Sequence, residues 1–176
     1  MHQAEGFFVL VKIVFLKFAK TPSMNISETY RITDFLRQTF DGKPWYGPSV
    51  MDTLSNLTFE ESLNQLPSSH TVIEILEHMI AWRTFVIKRL QGDTEFEIDQ
   101  EQSFKHISSL SNESWRDTIQ RLNQTQEDLL QILSQTSDEK LDEMVAGREY
   151  NFDKMLHGII HHDIYHIGQI GLLRKM

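Results

Sequence analysis

Residues 155–173 read MLHGIIHHDIYHIGQIGLL, and apolar residues recur there at the three- and four-residue spacing of a helix. His162 and His166 lie one turn apart on one helix face, roughly 6 Å along the axis, so two ring nitrogens can converge on one cation. On a helical wheel His166 falls about 40° from His162, on an arc with Met155, Ile159, Gln169 and Leu173 that reads as the core-facing stripe. His157 and His161 form a second pair at the same spacing, but more than about 90° round the helix beside Gly168, and read as peripheral. Asn151 suits the N-cap of this helix, with Asp153 favourable in its first turn.

Helical periodicity governs the rest of the chain from Met24 onward. A first helix is expected from Ser27, as N-cap, to Phe40, with Tyr30, Phe35, Leu36 and Phe40 apolar; Asp41-Gly42 and Pro44 supply the stop. Ser49 to Leu54 suits a short helix, and Thr58-x-x-Glu61 is a capping-box pattern that opens another over Phe59 to Leu66. A second long helix is expected from His70 to Leu90, with Gly92 beyond it. Thr71, Ile75, Ala81, Trp82 and Phe85 share the side of His78, while Glu77, Arg83 and Lys88 lie away from it. A third, from Ser111 to Gln135, carries Trp115, Ile119, Leu122, Leu129, Ile132 and Leu133 among polar residues and reads as half-exposed. Trp82, Phe85, Trp115 and Tyr165 read as core residues. Four amphipathic helices with mixed short and long connections predict an all-α, four-helix bundle.

Composition narrows the function. The 176 residues fit one domain with an ordinary core, and a net charge of -8 with no basic cluster longer than a pair excludes a nucleic-acid surface. No cysteine is present, so disulfides, thiolate zinc sites and a cysteine nucleophile are excluded, which fits the reducing cytoplasm expected here. The most apolar stretch is FFVLVKIVFLKF at 7–18. It carries Lys12 and Lys17 and falls short of the roughly 20 apolar residues that span a bilayer. It also lacks the basic start and cleavage site of a signal peptide. Residues 1–23 therefore read as an apolar extension that need not belong to the native protein, with a short membrane-surface or packing segment the alternative, Met24 as an alternative start, and 24–176 as the domain, for which no membrane contact is expected.

His78 is the remaining histidine expected to face inward on a long helix, which makes His78, His162 and His166 the candidate metal ligands. Satisfied core histidines are the plain alternative. Three neutral imidazoles suit zinc, nickel, copper or iron, and three protein ligands with an open position mark a catalytic metal. Glu74, Asp163 and Gln169 stand close enough in sequence to accept the other ring N–H of a ligand. Trp45, Tyr46 and Arg148 sit in segments that can overhang the site. No general base is assigned.

At these residues the chain resembles the DinB-like superfamily of metal-binding four-helix bundles, which includes YfiT-type proteins and thiol-dependent transferases. The resemblance rests on HTVIEILEHMIAWRTFVIKRLQGD at 70–93 and MLHGIIHHDIYHIGQIGLL at 155–173, supported by GKPWYGPSV at 42–50, and it covers roughly 24–176. It implies an up-down-down-up bundle, often a homodimer, with zinc or nickel held at His78, His162 and His166. It also implies a small-molecule substrate and a low-molecular-weight thiol such as bacillithiol, passed to a small electrophile. A hydrolase using metal-bound hydroxide and a non-enzymatic, stress-related metal-binding protein are the other implied readings. A second apolar arc of the last helix, Leu156, Ile160, Ile164 and Ile167, fits either a dimer contact or burial of that helix by both the bundle and the N-terminal segment.

Overall fold

The computed structural model describes residues 26–99, 103–104 and 110–176. Among these the chain forms α1 (Glu28–Phe40), α2 (Val50–Leu54), α3 (Phe59–Ser62), α4 (Val72–Leu90), α5 (Asn112–Leu133), α6 (Asp138–Asp142) and α7 (Phe152–Leu173), and no strand. The expectations for residues 1–23 lie outside the described residues. No described helix is long and apolar enough to cross a membrane.

The helix starts follow from side chains that satisfy the first, otherwise unpaired, N–H groups. Ser27 accepts from the Tyr30 N–H, Asn151 from the Lys154 N–H, and Thr58/Glu61, Thr71/Glu74 and Ser111/Ser114 close reciprocal capping boxes. α1 receives a further cap from a distant residue. The Asp138 carboxylate accepts from the Glu28 and Thr29 N–H groups at 2.9 Å and from the Thr29 hydroxyl at 2.7 Å. These bonds, the Thr29 N–H first, hold Asp138 below the usual carboxylate range. α4 is followed by Gly92 at a φ of 85°, a conformation glycine adopts without strain.

Several elements differ from expectation: α4 begins at Val72, behind its Thr71 cap, rather than at His70, and α5 ends at Leu133 rather than Gln135. α3 stops at Ser62 rather than reaching Leu66, because the Leu63 and Asn64 N–H groups turn back to the Glu60 and Glu61 carbonyls and Pro67 disfavours helix at Leu66. α6 is a five-residue element too short to show periodicity in the sequence.

α4 packs against α5 and α7, and α1 packs against α7 and α5. The core falls into two apolar clusters. One joins α2, the first half of α4, Trp115 and Leu122 of α5 and Ile167, Ile170 and Leu173 of α7. The other joins Ile32 and Leu36 of α1, Phe85 to Ile87 of α4, Leu129 and Leu133 of α5 and Phe152 to Ile160 of α7. The second apolar arc of α7 is covered in part inside the chain: Leu156, Ile160 and Ile167 are buried in the two clusters, while Ile164 is half-buried and lines a surface cavity.

Between the clusters lies a polar layer that the helical wheel misplaced. Arg83 and Glu77 are buried rather than turned away, because α4 has a neighbour on each side. Each is paired: Glu77 accepts from Thr118 and Arg121 of α5. Arg83 meets Asp163 of α7 through Nη2 at 2.6 Å and Nε at 3.1 Å, and its Nη1 donates to Gln126 Oε1 at 2.9 Å. Other wheel positions fail outward. Tyr30, Phe35 and Tyr165 are exposed, with the Tyr165 hydroxyl accepting from Gln169 Nε2 at the helix surface.

Removing one partner of a fully buried ion pair strands the other charge. Asp163→Ala is expected to lower unfolding free energy by about 3–5 kcal/mol, and the double variant Arg83→Met/Asp163→Leu to recover most of it, both read by urea denaturation.

Candidate metal centre

α4 supplies His78 and α7 supplies His162 and His166, at the polar layer between the two apolar clusters. His162 Nε2 lies 3.0 Å from His78 Nε2 and 3.1 Å from His166 Nε2, and all three ligand atoms fall within 4.8 Å of one another. Three nitrogens on a tetrahedral zinc at about 2.0–2.1 Å would stand about 3.3 Å apart, so the observed spacing fits one cation with modest adjustment. His166 Nδ1 donates to Gln169 Oε1 at 2.7 Å, which places the proton on Nδ1 and leaves the Nε2 lone pair facing the other two rings. His162 Nε2 can donate to at most one of its two imidazole neighbours. At least one close contact is therefore left without a shared proton, which a cation at the centre relieves.

Burial sets the protonation state. It holds His162 down to about 3 and His78 down to about 4, with repulsion from His166 the next cause in both. The same burial lowers His166, opposed by its bond to Gln169. All three rings are thus neutral and able to ligate near neutral pH. His162 Nδ1 is buried with no hydrogen-bond partner among the described residues.

Of the three residues expected to support the ligands, one does so. Gln169 holds His166, Glu74 is engaged in the α4 capping box, and Asp163 faces Arg83. Aromatic rings complete the surroundings. Trp82 lies 6.3 Å from His78 and 6.1 Å from His162 between ring centroids. Phe104 stacks on His78 at 3.9 Å and on His70 at 3.7 Å, sandwiched between them. No periodicity or motif marks Phe104, since its contact comes from outside any helix.

The remaining candidates separate. Trp45 is fully exposed, and Tyr46 lines a cavity with Pro48 and Ile164 that includes none of the three histidines. Arg148 stacks over Phe85, which lines a cavity of about 320 Å³ that His162 also lines. His161 is exposed, and His157 lies 3.5 Å from Asp153. Glu28, Asp153 and His157 also converge within 4.8 Å, but Glu28 and Asp153 sit in the first turns of α1 and α7, where the positive helix end opposes a cation.

Residues 48–170 match the model of the DinB superfamily. The chain belongs to the DinB superfamily. Among curated proteins the sequence has no match. The DinB match spans all three histidines and Gln169, and its all-α architecture agrees with the helices described above.

The protonation state has a consequence for stability in the metal-free protein. The folded values of His78 and His162 lie below the ordinary 6.5, so the unfolded chain takes up these protons first as pH falls. Stability is full above that value and is lost as pH drops toward the folded values. The urea midpoint is expected to fall between about pH 7.5 and about pH 4.5, and more steeply in the parent than in His162→Asn.

Proposed function

We propose that His78, His162 and His166 together hold one divalent cation, zinc or nickel, and that the site activates a low-molecular-weight thiol for transfer to a small electrophile. The convergence of three neutral imidazoles, His78 and His166 buried and His162 half-buried, carries this reading. A divalent ion at that position lowers the pKa of a thiol or water that binds beside it. With three protein donors in the cluster, a coordination position stays open to a small molecule, the arrangement of catalytic rather than structural sites.

The chain's own residues have separable tasks in this reading. Gln169 fixes the tautomer of His166, and Phe104 and Trp82 pack against the rings and limit their contact with water. The Arg83–Asp163 pair sets α4 against α7, which fixes the distance between His78 and the α7 histidines. Because the chain has no cysteine, the thiol comes from a cosubstrate of the bacillithiol kind. The same reading takes the four long helices in up-down-down-up order.

Metal content by mass spectrometry on protein purified without chelator tests the first step, with about one metal per chain expected in the parent and none in folded His78→Ala and His162→Ala. Failure to take up zinc or nickel would return the histidines to the core. Conjugation of chlorodinitrobenzene is expected to need both metal and added thiol. Turnover of an ester or amide with no thiol present would instead favour hydrolysis.

A further inference from the structure

The cavity beside His162 runs between α4 and the first half of α7. Its walls are Trp82, Phe85, Met155 and Ile159, with Tyr150 and Lys154 toward the start of α7 and His162 toward its middle. Lys154 lies two turns before His162, about 12 Å along the axis, so the two ends of the slot differ in chemistry. One presents an imidazole of the metal centre, the other an ammonium.

Two observations bear on what fits there. Lys154 is exposed and makes no ion pair with any described residue, while the guanidinium groups of Arg89 and Arg148 lie over the Phe85 ring at 4.7 and 5.2 Å and share one acid, Glu97. Lys154 is thus the charged residue that lines the slot, and the Arg89, Arg148 and Glu97 group behind Phe85 carries a net positive charge in a chain of net charge -8. Gly158 lines the slot from the interior of α7, where glycine is destabilising relative to alanine, and a Cβ there would meet no atom within 4 Å. Gly158 is exposed, so a side chain there would occupy open space beside the slot.

We infer that this slot binds a small amphipathic anion, its aromatic or aliphatic body between α4 and α7, its acidic group at Lys154 and its far end at His162. This deepens the transferase reading by giving the chemical class of the electrophile, an apolar molecule with a carboxylate or sulfonate at one end. Lys154 is then a specificity-determining residue, and Gly158 sets the width of the slot.

The probes are anilinonaphthalene sulfonate and the uncharged phenylnaphthylamine, which share their rings and differ in the sulfonate. Each is titrated by fluorescence into the full chain with and without bound zinc. The parent is expected to bind the sulfonate more tightly. Lys154→Gln should weaken the sulfonate about fivefold and leave the neutral dye unchanged, the scale of one exposed charge pair. Gly158→Leu should abolish binding of both while keeping helicity and metal content. Equal weakening of both dyes by Lys154→Gln, undiminished binding by Gly158→Leu, or no binding to the parent would overturn the inference. Lys154-dependent binding in a protein that takes up no metal would remove the thiol reading alone. Normal metal uptake with dye binding indifferent to Lys154 would remove this inference alone.

Discussion

The Arg83–Asp163 pair ties the four long helices to one another. Arg83 and Asp163 are fully shielded from solvent, and together they join α4 to α7. Gln126 accepts from the same guanidinium and passes a bond at 3.3 Å to the Leu36 carbonyl, which brings in α5 and α1. The Phe40 ring lies 4.8 Å from the guanidinium carbon and covers it from α1. Burial pushes the Asp163 carboxyl up and the guanidinium beside it pulls it back. The value of the pair lies in geometry: a wrong register between helices would leave the guanidinium buried without a partner.

That constraint bears directly on the histidines. Asp163 is the neighbour of His162 in sequence, and Arg83 follows His78 by little more than one turn. Fixing the ion pair therefore fixes the approach of the two ligand-bearing helices. Arg83 also disfavours a proton on His162, in the same direction as burial. The layer between the apolar clusters thus combines two ion pairs, Arg83–Asp163 and Arg121–Glu77, with three uncharged donors, an environment in which an added cation meets lone pairs.

Much of this was legible in the sequence where the signal is local. The caps at Ser27, Thr58 and Asn151 mark helix starts because each serves its own chain within three residues. His162 and His166 are visible because a helix turns through a fixed angle, and His78 because its face is apolar. The wheel fails for Glu77 and Arg83, since it assumes one buried face and α4 has two. Asp163 misleads for a related reason: adjacency to His162 suggests a bond to an imidazole, whereas its side chain faces Arg83. Phe104 and the Asp138 cap on α1 are contacts between residues far apart in sequence, which no local pattern encodes.

The segment 162–169 carries two imidazoles, the acid of the buried pair and the carboxamide that orients a ring. Each depends on the angular position of the others about a single axis. Inserting or deleting one residue there would turn everything beyond it by about 100° and detach ligands and ion pair together. Tolerance to change in chain length therefore resides in the connections between helices, where loop-closure entropy changes slowly with length.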